Sequence, residues 1–200
     1  MARKNDIGRI ENFWNNMRNQ KKFSMMKVYN LLIKDKNRVD WYHMMAHNFA
    51  SPRAKVVLWL VCQNRLLTKV RMKNMGMLQN TICEMCKEED EDLDHLMFKC
   101  KGTSTIWQEI LKWLDVKIDN NIDMAWIKRN YKGKGWQNAL LKAAVTEVFY
   151  EIWMYRKSKI FGNKRFYRDI QGVIRNTIDS IVYKGWMKPK YRNHIVNILM

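Results

Sequence analysis

Proline and glycine are scarce, with 2 and 8 in 200 residues. A chain so poor in turn formers does not suit a loop-rich β-sandwich. The abundance of Met, Leu, Ile, Trp and Lys favours helices instead. Long apolar runs are also missing. The longest, Val56 to Cys62, is far too short to span a bilayer. The opening residues, Met1-Ala2-Arg3-Lys4-Asn5-Asp6, hold no apolar stretch of the kind a secretory leader needs. Acids are few: 19 Asp and Glu stand against 37 Lys and Arg, a net charge of +18. Such a surplus repels itself and calls for a polyanionic counterpart, most often nucleic acid. With 47% of residues hydrophobic, the chain can still build a real core, which excludes wholesale disorder.

The charge is segregated. Residues 1–82 carry 16 bases and 4 acids, residues 83–100 carry 2 and 7, and residues 101–200 carry 19 and 8. Two basic flanks therefore enclose one acidic insert. No internal repeat or long Ser/Gly/Pro linker interrupts them.

Helical patterning dominates. A weak stripe (Ile7, Ile10, Phe13, Trp14, Met17) marks residues 1–22 as an arm or a helix. Ser24 is a good cap for a helix through Ile33, and a short helix fits Trp41 to Phe49. Ser51-Pro52 signals another start, a cap residue followed by proline at the first helical position. The helix that follows, through Cys62, is apolar nearly all round and is expected to be central and buried. Thr68 caps a short helix that Gly76 stops. Further helices are expected over Ser104 to Leu114, Trp136 to Phe161 with Gly162 as its stop, and Phe166 to Tyr183. Trp59, Trp107, Trp113 and Trp153 lie on apolar stripes and read as core. The expected fold is all-α: a helical domain with a small loop between two helical halves.

That loop carries the chemistry. Three of the four cysteines and one histidine fall in the pattern Cys83-x2-Cys86-x8-His95-x4-Cys100. Thiolate and imidazole in this spacing suit a tetrahedral zinc ion, and the clustering favours metal over disulfides. Four protein ligands fill the coordination sphere, so one structural Zn2+ is expected and no hydrolytic one. Cys62, inside the apolar helix, reads as a core thiol. The stretch Lys87 to Asp94 is strongly acidic and would repel phosphate. It reads as a solvated turn, a brace or a surface for a basic partner.

Candidate phosphate contacts lie on the C-terminal flank: Lys128, Arg129, Lys132 and Lys134, then Arg156, Lys157 and Lys159, then Lys164, Arg165 and Arg168. Lys132-Gly133-Lys134-Gly135 is not a P-loop, because the Lys-Ser/Thr ending is missing. His43 and His47, at i and i+4, have no third ligand nearby and read as ordinary structural or surface residues.

Several blocks resemble a known family. They are Phe23-Ser24 with Lys27-Val28-Tyr29; Ser51-Pro52-Arg53-Ala54-Lys55 running to Trp59-Leu60; Asn64-Arg65-Leu66-Leu67-Thr68-Lys69; the Cys pair; Asp94-His95-Leu96-Met97-Phe98-Lys99-Cys100; and Ile106-Trp107. In this order they resemble the reverse-transcriptase zinc-binding domain near the C-terminus of plant non-LTR (LINE-type) retrotransposon polyproteins. The tail segments Glu147 to Trp153 and Arg156 to Phe161 are similar to the same proteins, so the likeness covers about residues 20–185. It implies an arm at 1–22, a zinc-binding domain at 23–115 with its zinc loop at 83–100, and a basic helical region at 116–200. No Tyr-x-Asp-Asp polymerase motif and no spaced carboxylate set for two-metal nuclease chemistry is visible. The resemblance thus implies a non-catalytic accessory module for template RNA or target DNA, nuclear or cytoplasmic, with no membrane or small-molecule substrate. The alternative is a host-retained adaptor that docks a basic protein on acidic residues 88–94, or a decayed element.

Overall fold

The computed structural model describes Glu11, Asn15 and residues 39–46, 48–117, 122–133, 135–162 and 170–183. The chain divides into two units, residues 1–39 and 40–200, and the elements below belong to the second. They are α1 (Tyr42–Met45), α2 (Pro52–Cys62), α3 (Lys69–Asn74), a π-helical turn (His95–Lys99), α4 (Lys101–Trp113), α5 (Met124–Asn130), α6 (Trp136–Phe161) and α7 (Ile170–Tyr183). Among the described residues there is no β-strand, only an isolated antiparallel bridge between Ile82 and Asp90. The class is all-α with a metal-type loop, as the sequence implies. Among those residues no helix is long and apolar enough to cross a membrane. The expected helix from Ser24 and the N-terminal stripe lie outside the described residues, as does His47.

Helix boundaries follow local chemistry. Ser51 caps α2: its Oγ accepts from the Ala54 amide at 3.2 Å, and Pro52 occupies the first turn. Thr68 caps α3 by accepting from the Arg71 amide. Gly76, at φ 73°, follows the C-cap Met75 and reverses the chain where a side chain would be strained. Gly162 ends α6 in the left-handed conformation. One helix went unread in the sequence. Asp123 accepts from the Trp126 amide at 2.6 Å and starts the short α5.

The central helix is α6, a correction to the expectation for α2. Residues 143–149 of α6 are buried without interruption, and Glu147, Glu151 and Arg156 are buried with them. On α2 only Ala54, Val57, Leu58 and Val61 are buried, and Leu60 and Cys62 pack against the core half-buried. Val56 is 57% and Trp59 38% exposed, so Trp59 is not a core residue. Trp107 is buried, whereas Trp113 and Trp153 are only partly so. α2 is fastened to α6 by polar contacts as well as by packing. The Ser51 amide donates to Glu147 Oε1 at 2.6 Å, and Asn48 Nδ2 donates to Thr146 Oγ1 at 2.7 Å. Tyr131, fully buried after α5, donates its hydroxyl to the Lys142 carbonyl at 3.2 Å.

Candidate metal centre

The site is built from two chain segments that fold for different reasons. The first is a knuckle. The Lys87 amide donates to the Cys83 carbonyl (2.9 Å) and the Met85 amide to Cys83 Sγ (3.4 Å), so the turn from Cys83 curls around the sulfur. Lys87 closes it at φ 63°, a left-handed position uncommon for a side chain other than glycine or asparagine. The Cys83 amide then donates to the Glu89 carbonyl (2.8 Å) and the Glu91 amide to the Thr81 carbonyl (2.8 Å), clamping the two arms around the Ile82–Asp90 bridge.

The second segment is the π turn. Asp92 starts it, its Oδ1 accepting from the His95 amide at 2.7 Å. The Cys100 amide donates to the His95 carbonyl at 2.8 Å, an i to i+5 bond. In a regular α-helix, residues five apart stand about 140° from each other around the axis. The wider turn brings His95 and Cys100 toward one side, which explains the x4 spacing. Such turns recur at functional sites. α4 begins directly after Cys100, at Lys101, three residues earlier than the pattern from Ser104 indicates. Gly102 lets it approach the knuckle: a Cβ there would sit 3.0 Å from that of Met85.

The ligand atoms of Cys83, Cys86, His95 and Cys100 all lie within 4.8 Å of one another. Cys83 Sγ and Cys100 Sγ are 3.8 Å apart, and Cys86 Sγ and His95 Nε2 are 3.4 Å apart. Zinc–sulfur and zinc–nitrogen bonds of ordinary length, arranged tetrahedrally, give edges of about 3.8 Å and about 3.6 Å. The donor set and the spacing therefore fit one structural zinc, with Cys83, Cys86, His95 and Cys100 as its ligands. Cys83, Cys100 and His95 are buried and Cys86 half-buried. Cys83 and Cys100 are joined by a hydrogen bond, and with Cys100 as donor that contact holds the Cys83 thiol down and pushes Cys100 up. A cation between the two sulfurs takes the place of that proton.

Most of the acidic loop is solvated as its sequence suggests, with Lys87 to Asp90, Asp92 and Asp94 exposed, but several of its carboxylates are engaged within the protein. Glu89 Oε2 accepts from His95 Nδ1 at 2.9 Å, which fixes the ring so that Nε2 faces the sulfurs. Glu91 is fully buried. Its Oε1 accepts from the Lys69 amide (3.0 Å) and from Nε (3.0 Å) and Nη2 (2.6 Å) of Arg156. Glu88 pairs with Lys101 (2.6 Å), Asp94 with Lys99 (2.5 Å), and Glu84 with Lys69 (2.5 Å) and Lys87. The hydrogen bonds from Lys69 and Lys87 lower the Glu84 carboxyl to about 2. Behind the π turn, Phe98 stacks on Trp107 at 5.9 Å, and Phe149 of α6 meets both rings edge-on at 5.9 and 5.6 Å. The Trp107 indole donates to the Met97 carbonyl at 2.6 Å.

Arg156, expected among the phosphate contacts, is 3% exposed and committed to Glu91. It cannot reach a phosphate without breaking a buried ion pair. Lys128 is half-buried and paired with Asp40, and its carbonyl accepts from His43 Nε2 at 3.0 Å. Arg129, Lys132, Lys157 and Lys159 are exposed; Lys134, Lys164, Arg165 and Arg168 lie outside the described residues. Cys62 stands apart from the cluster, 4.0 Å from Met44 Sδ, and burial pushes its thiol up to about 12.

Residues 23–107 match the family model described as "zinc-binding in reverse transcriptase". The chain is also similar to the Arabidopsis thaliana protein named "Putative ribonuclease H protein At1g65750", at 21% identity over 184 residues. That alignment covers 89% of this chain and 28% of the relative, so the chain spans well under a third of that protein's length. No solved structure matches. The match takes in all four ligands, and the structure gathers them as such a site needs. Over residues 23–107 the chain is thus similar to the zinc-binding segment of reverse transcriptases, and its four ligand residues lie within that segment.

Proposed function

We propose that this chain is a non-catalytic, zinc-stabilised nucleic-acid-binding module of a LINE-type retrotransposon reverse transcriptase. The observation that carries this reading is a closed Cys3His site inside the family segment of a chain with a net charge of +18. Four protein ligands leave zinc no open position for a substrate, so the metal braces the fold. It joins the knuckle to the start of α4, and the Glu91–Arg156 pair joins the knuckle to α6. The basic residues outside the knuckle then supply a largely sequence-independent grip on RNA or DNA. Among the expected contacts, Arg129, Lys132, Lys157 and Lys159 are exposed, which supports this reading. The relative's name speaks of ribonuclease H; in a longer polyprotein the module would work beside such activities and perform none itself. A nuclear or cytoplasmic location follows from the same reading.

The adaptor alternative needs acids at 88–94 available for a basic partner. Glu88, Glu89, Glu91 and Asp94 already have partners within the protein. That favours the nucleic-acid reading. Its test is binding of the zinc-loaded protein to labelled single-stranded RNA and duplex DNA across a salt series. Affinity that falls steeply and linearly in log salt supports it, and the slope counts the phosphates neutralised. Absence of binding at low salt refutes it.

A further inference from the structure

The exposed face of α2 combines features that the C-terminal patches lack. From Trp41 to Cys83 the chain holds no Asp or Glu, and it carries six Lys and Arg. The acids that bound this stretch are engaged: Asp40 with Lys128, Glu84 with Lys69 and Lys87. No carboxylate within the stretch opposes a polyanion. On α2, at about 100° per residue, Arg53, Val56, Trp59 and Gln63 fall within one arc of about 120°. None of the four is buried: Arg53, Val56 and Trp59 are exposed and Gln63 is half-buried, while Leu60 near the edge of the arc packs toward the core. Arg53 is exposed at the first turn, and Arg65 is exposed just past the last. In the sequence the two cations flank Trp59 six residues to either side.

A single exposed hydrophobic side chain is ordinary. A tryptophan on the outer face of a helix, bracketed by arginines in an acid-free segment, is the arrangement that binds unpaired bases. The indole stacks on a base of any identity while the arginines hold the phosphates on either side. We infer that the outer face of α2, centred on Trp59 and flanked by Arg53 and Arg65, is a stacking platform for single-stranded nucleic acid. This rests on the nucleic-acid reading above and sharpens it: the occupant is a single strand, since paired bases in a duplex offer no free face to an indole.

The test uses the full zinc-loaded chain and its Trp59→Ala and Trp59→Phe variants. A labelled oligouridylate and a duplex DNA of equal length serve as probes over a salt series, with thermal melts of each protein alongside. Trp59→Ala should weaken oligouridylate binding between about 5-fold and about 150-fold, the loss of one base–aromatic stack. The salt slope should stay unchanged, because no phosphate contact is lost. Trp59→Phe should retain most of the affinity, and duplex binding should not move. Wild-type affinity for oligouridylate in Trp59→Ala, or an equal loss on duplex, overturns the platform and leaves the general reading standing. Failure of the wild type to bind either probe overturns both.

Discussion

Removing the guanidinium of Arg156 should be among the most damaging single changes in this protein, although its surroundings in sequence suggest a surface cation. The side chain is 3% exposed and makes two bonds, of 3.0 and 2.6 Å, to one oxygen of a carboxylate that is itself fully buried. In Arg156→Ala, Glu91 would keep the Lys69 amide as a donor to that oxygen, and a buried charge would lose its counter-ion. Breaking a buried pair from one side costs about 3–5 kcal/mol. A domain of this size has about 5–15 kcal/mol in all, so much of the margin disappears. Arg156→Lys should recover only part of the loss, since an ammonium cannot reproduce the forked geometry. The double variant Glu91→Leu/Arg156→Met removes both charges and should lie much closer to wild type than Arg156→Ala does. Urea unfolding of the zinc-loaded proteins measures all three, and the single variants Glu91→Leu and Arg156→Met complete the cycle that isolates the coupling. A loss below about 1 kcal/mol for Arg156→Ala, the range of exposed pairs, would refute the reasoning and return Arg156 to the surface.

Two further outcomes follow from the metal site and a third from the buried thiol outside it. Cys86→Ser should lose bound metal and melt at a lower temperature, and an unchanged melting temperature with metal absent would refute a structural role for zinc. Glu89→Gln weakens the acceptor for His95 Nδ1 and should reduce zinc affinity by about 10- to 100-fold in chelator competition. Unaltered affinity would make that contact incidental. Cys62, pushed up to about 12, holds about one part in 10,000 as thiolate at pH 8, so alkylation of the native zinc-loaded protein should leave it unmodified. Its alkylation rate should climb as pH rises toward 12; rapid modification at pH 8 would contradict its burial.

Local chemistry was readable where the determinant and its effect are neighbours in the chain. Ser51-Pro52, Thr68 and Gly162 each act within a turn, and the structure places helix ends at all three. The ligand set was readable for the same reason, since two short segments carry it. What escaped notice depends on partners distant in sequence. Glu91 and Arg156 are 65 residues apart, and each alone resembles an ordinary surface charge. A signal for Arg156 did exist: it follows Phe149 by seven residues and Ile152 by four, on the buried stripe of α6. Trp59 misled in the opposite sense. An apolar run of helix length says that a helix is buried somewhere, not on which side, and on α2 the buried face is the one with Ala54, Val57, Leu58 and Val61. Glu89 could have been suspected from chemistry alone, because a zinc-bound imidazole needs an acceptor for its other nitrogen.

The most direct measurement is the zinc X-ray absorption spectrum of the purified protein, with metal content determined on the same sample. One zinc per chain is expected, with three sulfur neighbours at about 2.3 Å and one nitrogen at about 2.0–2.1 Å. A shell of nitrogen and oxygen without sulfur, or metal content well below one per chain after zinc loading, would contradict a structural site made by Cys83, Cys86, His95 and Cys100.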